Sequence, residues 1–290
     1  MRITTFNQFQ ANKYYMNQLQ QKAVNEQIQI ATGKQYKTIS DDPIRANQAM
    51  LVQESMGRIG QYIKNIDDAD TIVSKVEQTL GQAINLIQSL KEEGLRASNG
   101  TYSASDRNTV AKTIEQGIQQ LVNLANQKYL GKYIFSGEVT QSPSYAYDGI
   151  TATYQGNGNV PEIQTSAYQS TKTSFTGDDA FQMAFDALID LRDQVQSGSA
   201  ATISTALASV DAALDEVGNK QAEAGVRMQS LESIRGAFQF EQLQLEEKKA
   251  TIEEVDFTKI VMEHSQTQQM YQAVIMSSQR MNQLSILNFM

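Results

Sequence analysis

The chain contains no cysteine, which excludes disulfides and thiolate metal sites. There is no tryptophan and a single histidine, His264, so zinc chemistry is not expected. Proline is almost absent: Pro43, Pro143 and Pro161 are the only three in 290 residues. No run of eighteen apolar residues occurs, so no membrane-spanning helix is expected. "MRITTFNQFQANKYY" has no apolar core of seven residues, and a cleaved Sec-type signal is not expected either. Positive charge is also scarce. The formal net charge is -8, which argues against nucleic acid as a partner.

With 40% hydrophobic residues there is material for a sizeable core, and helical spacing dominates. The first interruption is "TGKQYKTISDDPIRANQAM". Gly33 can end a helix in a left-handed conformation. Ser40-Asp41-Asp42-Pro43 can begin another, with a side-chain cap and proline in the first turn. After Pro43, Ile59, Tyr62, Ile66, Ala69, Val73, Val76, Leu80, Ala83, Ile87 and Leu90 alternate spacings of three and four. That stripe predicts a helix to about Glu93, roughly 75 Å long, built to lie along another helix. A second helix is expected from about Ser105 to Leu130, on Val110, Ile114, Ile118, Leu121 and Leu124.

Residues 134–177 are rich in Gly, Ser, Thr and Tyr, and Asp148-Gly149 sits between alternating runs as a hairpin signal. A small β insertion is expected there. Helix resumes at the cap Asp178, with Phe181, Phe185, Leu188 and Val195 on one face. Then Ile203, Val210, Val217, Ala224, Leu231, Phe238, Leu245 and Ile252 recur every seven residues, which implies helix-on-helix packing. Lys259 ends that stripe, and a new one begins out of phase: Phe257, Ile260, His264, Thr267, Tyr271, Val274, Ser278 and Met281. No Gly or Pro occurs from Ala237 to Met290, so one helix is expected to run on while its apolar face rotates.

The two ends are alike. Twelve of residues 1–35 are Gln or Asn, and Phe9, Met16, Ala23 and Ile30 are seven apart with Leu19 beside them. Residues 257–290 carry only Lys259, Glu263 and Arg280 as formal charges. Such helices are marginal alone and suit burial against other chains. Phe9, Met16, Leu19, Ala23, Ile30, Phe257, Ile260, Tyr271, Val274, Met281, Leu284 and Leu287 are therefore the expected subunit interface. The expected bundle core is Ile59, Ile66, Val73, Leu80, Ile87, Ile203, Val210, Val217, Leu231, Phe238, Leu245 and Ile252.

No constellation proposes an enzyme, a cofactor site or a metal site. His264 lies in a helical stripe and reads as a satisfied interface histidine. Asp68-Ala69-Asp70 begins like a calcium loop, but Val73 stands where the turn glycine belongs. "YQGNGN" has no lysine and no following helix, so it is a turn and not a phosphate cradle. Glu246-Glu247 and Glu253-Glu254 read as solvated helix faces, and the insertion tyrosines as sheet side chains.

Several stretches resemble the flagellin superfamily: the opening "MRITTFNQFQ", the turn "ATGKQYKTISDDPIRANQAM", the segment "LANQKYLGKYIFSGEVTQSPSY" and the tail "YQAVIMSSQRMNQLSILNFM". The Pro43 turn, Gly131 to Gly137 and the tail are more similar to the branch that joins hook to filament than to the filament subunit. Flagellin itself is the alternative. The resemblance implies a mainly α fold, with long antiparallel helices in a coiled-coil bundle formed by both chain ends and a small β insertion. It implies residues 1–40 and 257–290 as paired inner-tube helices, 41–133 with 178–256 as the bundle, and 134–177 facing outward. It also implies a structural, non-enzymatic part of the extracellular flagellum, exported through the type III apparatus without a cleaved signal. The implied partners are further copies in a ring-like layer, the first hook–filament junction protein, flagellin and a dedicated export chaperone, with neither nucleic acid nor membrane among them.

Overall fold

The computed structural model describes residues 2–99 and 102–287; of these, 2–6, 8, 9 and 281–287 are described by their backbone alone. The described residues form α1 (Arg2–Thr32), α2 (Pro43–Ser98), α3 (Ala104–Ala125), α4 (Gly177–Ser197), α5 (Ala200–Glu253) and α6 (Phe257–Leu287). Between α3 and α4 lie β1 (Lys128–Tyr129), β2 (Lys132–Tyr133), β3 (Tyr145–Tyr147), β4 (Ala152–Tyr154), β5 (Glu162–Gln164) and β6 (Ser170–Lys172). The fold is mainly α, with long helices packed on one another and small β ribbons in the middle. The chain divides into two compact units, residues 1–58 with 241–290 and residues 59–240.

The 59–240 unit is a helical bundle around a dry core. Ile66, Leu80, Ile87, Ile114, Ile118, Leu121, Leu188 and Leu191 are fully buried, and Val73, Val210, Val217, Ala224 and Leu231 join them. Each buried Ile, Leu or Val among them contributes about 1.5–3 kcal/mol by leaving water. Ion pairs and hydrogen bonds track the edges of the α2–α5 seam. Asp67 meets Arg235 at 3.3 Å, Glu77 accepts from Gln221 at 2.7 Å, and Lys91 pairs with Asp211. Partners advance along α2 as they retreat along α5, so the helices are antiparallel. Tyr62 and Phe238 stack at 5.6 Å at one end. Gly117 permits the approach of α3 to α2, because a Cβ there would lie 2.4 Å from the Leu90 side chain.

Helix α3 begins at a capping box between Ser103 and Asp106 and ends at Ala125, five residues before the expected Leu130. The cause is Asn126, whose side chain accepts from Tyr145 N–H and donates to Tyr145 C=O, both at 2.9 Å. That clamp diverts the chain into the β1–β2 hairpin, turned by Leu130 and Gly131 at φ 49° and 80°. The Asp148-Gly149 hairpin joins β3 and β4, with Gly149 at φ 90° and Asp148 accepting from Ile150 and Thr151 N–H. The three ribbons are separate two-stranded antiparallel pairs. Helix α4 is capped by Thr176, two residues before the expected Asp178; the Thr176 hydroxyl accepts from Asp179 N–H.

Ribbons this short need anchors from the helices. Phe135 is fully buried edge-on to Phe181 at 4.9 Å, and its carbonyl accepts from Gly177 N–H. Arg227 donates to Ser174 and Lys172 C=O and lies 4.2 Å above the Phe175 ring. Arg192 on α4 donates to Glu115 of α3 at 2.7 Å, to the Tyr147 hydroxyl and to Gly149 C=O. Burial works to raise the Glu115 carboxyl, but hydrogen bonds from Arg192 and Tyr147 outweigh it and hold it below the ordinary range.

Candidate assembly surface: the terminal helix pair

The second unit is organised by two chain breaks that lie side by side. Gly33, at φ 68°, ends α1 as its spacing suggests. Beyond it, Gln35 N–H donates to Glu253 C=O at 2.7 Å, Val255 N–H donates to Gly33 C=O at 2.9 Å, and Lys34 bridges Glu254. Lys34 Nζ also pairs with Glu253 at 3.2 Å. These bonds account for a departure from expectation: the helix does not run on from Ala237 to the C-terminus. It stops at Glu253, leaves 254–256 extended against residues 33–35, and restarts at Phe257. Asp256 caps the restart, its carboxylate accepting from Lys259 N–H at 3.0 Å. On the other side, Asp41 accepts from Lys37 and Thr38 N–H, which holds its carboxyl below the ordinary range. Asp42 then caps α2, accepting from Arg45 N–H ahead of Pro43.

Helices α1 and α6 pack along one another. Met16, Leu19, Ala23 and Ile30 of α1 are half-buried, as are Tyr271 and Val274 of α6. Ile260 is buried within the chain itself, so it is covered without a second subunit, whereas Phe257 is 60% exposed. Phe9, Met281, Leu284 and Leu287 lie outside the residues whose side chains are described. Leu245 and Ile252, placed by their spacing in the bundle core, belong to this terminal unit and are half-buried. Gln53 and Lys249 hydrogen-bond beside them.

A feature that sequence reasoning missed sits in the α1–α6 seam. Glu26 is 4% exposed, and its Oε1 accepts from the Thr267 hydroxyl at 3.0 Å. Its Oε2 lies 3.5 Å from His264 Nδ1. The signal was present: Glu26 is the only acidic residue of α1 and falls in the same three–four spacing as Leu19, Ala23 and Ile30.

Outside the seam, large apolar side chains remain in solvent. Tyr14, Tyr15, Val24, Val261, Met262, Met270 and Met276 are all at least 42% exposed. A groove of about 430 Å³ between α1 and α6 is lined by Tyr15, Leu19, Met270 and Val274. Exposed apolar surface of this density marks an interaction site more often than a free face. Among the described residues no group of three His, Asp or Glu is placed to hold a metal ion. No described helix is long and apolar enough to cross a membrane.

Comparison with known proteins matches residues 3–140 to the bacterial flagellin N-terminal helical region. Over that stretch the chain is similar to flagellin. Flagellar hook-associated protein 3 of Escherichia coli is 33% identical over 182 residues, which is 62% of this chain and 57% of that relative. The alignment thus spans little more than half the length of the curated relative. Hook-associated protein 3 of Legionella pneumophila superposes with a TM-score of 0.65 at 15% identity, covering 70% of this chain and 98% of that one. The FlgL protein of Bacillus cereus gives 0.61 at 23%, covering 69% and 99%. At these identities the solved structures speak for the fold alone. In this chain the segment 131–137 has its own structural reasons. Gly131 turns the β1–β2 hairpin, Phe135 fills the bundle core, and a Cβ on Gly137 would collide with Asn157.

Proposed function

We propose that this flagellin-like chain is a structural subunit of the bacterial flagellum that joins hook to filament. The observation that carries the reading is the 33% identity to hook-associated protein 3 over 182 residues. The terminal helix pair supports it, because its own seam leaves a second set of apolar side chains uncovered. In this reading the α1–α6 pair packs against the same pair of neighbouring copies in a ring-like layer, with the inner stripes of residues 1–40 and 257–290 forming a tube wall. The 41–133 and 178–256 helices form the next layer, and the β ribbons of 134–177 face outward. Burial of exposed apolar surface between copies supplies the driving force, at about 25 cal/mol per Å². The first hook–filament junction protein and flagellin are the partners above and below, and a dedicated chaperone escorts the chain to type III export without a cleaved signal. The chain works by binding, not by catalysis.

A deletion strain tests this. Hooks without filaments, with flagellin lost to the medium, are the expected outcome. Normal filaments would refute the junction role. Loss of filaments with no flagellin produced at all would assign the chain as the filament subunit instead.

A further inference from the structure

We propose that the buried Glu26–Thr267–His264 cluster sets the register in which α1 lies against α6. The inference stands on the helix pairing within the chain and does not depend on the assembly role. The apolar residues alone leave that register open. Met16, Ala23 and Ile30 recur at seven residues on α1, and Ile260 and Val274 stand two heptads apart on α6. Sliding one helix by a heptad therefore returns apolar side chains to apolar places. Glu26 breaks that degeneracy. It is the only acid of α1, it is buried, and it meets the only histidine of the chain. Thr267, 2% exposed, donates to Glu26 Oε1, while Lys22 reaches the same oxygen at 3.7 Å from the exposed side. On the far side of the imidazole, Gln268 Nε2 lies 2.9 Å from His264 Nε2. His264 Nδ1 and Glu26 Oε2 face each other across the seam, both buried and neither with a hydrogen-bond partner, so Thr267 is the buried donor that holds the carboxylate. A slide of seven residues would bring the Glu26 carboxylate opposite Ile260 or Val274 and away from the Thr267 hydroxyl, leaving Lys22 of its own helix as its remaining partner. A buried carboxylate that loses its buried hydrogen-bond donor is disfavoured more than a small loss of apolar contact. A single buried polar group is also the best-attested means by which paired helices fix their register.

The absence of native cysteine makes disulfide mapping in the full-length protein direct. Leu19 and Val274 line one groove, so Leu19→Cys with Val274→Cys reports the observed register. Asn12→Cys with Val274→Cys reports a slide of one heptad. In the parent chain the first pair is expected to cross-link and the second to lag by about tenfold, the discrimination one lost hydrogen bond to a buried charge supplies. Equal cross-linking of both pairs in the parent would overturn the proposal. Exchanging Leu19→Glu with Glu26→Leu moves the acid back by one heptad. It should drag the register with it, so that the Asn12→Cys pair now dominates. An exchange variant of unchanged helicity that keeps the parent's pattern overturns the proposal. Where the exchange costs helicity, Glu26→Leu alone decides: the tenfold preference should collapse, and a preserved preference refutes the assignment.

Discussion

The seam between α2 and α5 and the seam between α1 and α6 use the same seven-residue arithmetic but are filled differently. In the first, Ile66, Val73, Leu80 and Ile87 face Val210, Val217 and Leu231, and all are at most 1% exposed. In the second, Met16, Leu19, Ala23 and Ile30 stay half-buried, and the driest point is a carboxylate meeting a threonine and a histidine. A dry seam of branched aliphatic residues is a finished core. A half-covered seam with exposed Tyr, Val and Met around it leaves apolar surface in solvent. Heptad spacing announces that a helix will pack; the chemistry at the repeat positions tells whether one chain completes the packing.

The sharpest way to break this comparison is to place a charge in each region. Leu231→Asp sets an unpaired carboxylate in the dry seam, at a cost of about 4 kcal/mol or more. It should abolish cooperative thermal unfolding of the 59–240 unit as followed by circular dichroism. Met276→Asp falls on a side chain that is 58% exposed. It should change monomer stability by no more than about 0.5 kcal/mol yet leave cells without attached filaments. A Met276→Asp strain with normal filaments would mean that this face of α6 is not an assembly surface.

A milder probe of the dry seam is Leu80→Ala. The side chain is fully buried in the bundle core, so its loss should cost about 2–5 kcal/mol by denaturant unfolding. A cost under about 1 kcal/mol would show a core able to collapse into the space.

Much of this contrast was legible in the sequence, and the misses have physical causes. Both heptad stripes, the Gly33 stop, the Pro43 start and the Asp148-Gly149 hairpin depend on neighbouring residues and could be read locally. The stop at Glu253 could not, because no Gly or Pro marks it. Residues more than two hundred positions earlier pull 254–256 out of the helix through backbone bonds to 33–35. The early end of α3 is likewise imposed from outside, by the Asn126 clamp on Tyr145. Glu26 was overlooked among the amides around it, since a lone charge on a helix is ordinarily solvated. Its burial follows only from the meeting with Thr267 and His264 across the seam. The expected subunit interface included Ile260, which the chain covers by itself.

Glu115 offers a test of the bundle by pH. Its carboxyl is held low by Arg192 and Tyr147 against the opposing effect of burial. A depressed carboxyl contributes stability that is fully present above its ordinary value and is lost as pH falls through the lowered one. Glu115→Gln removes that contribution and leaves Arg192, whose side chain is 11% exposed, without its α3 partner. It should cost about 1–3 kcal/mol at neutral pH and flatten the acid limb of the stability profile. An unchanged acid limb would show that other carboxylates govern it.

Gly33→Ala separates the two regions most cleanly. Gly33 sits at φ 68° with open space where a Cβ would go. Gly33→Ala therefore meets no steric clash and costs only the left-handed backbone penalty, about 1–2 kcal/mol. The Gly33 carbonyl accepts from Val255 N–H, so the strain falls on the clasp between the two chain breaks. Hydrogen exchange should quicken at Gln35 and Val255 and along the ends of α1 and α6, while Ile66 to Ile87 keep their protection. The dry seam holds those amides independently of how α1 ends. Faster exchange in both places would mean that the bundle draws stability from the terminal pair, and that the 59–240 unit is not a finished core by itself.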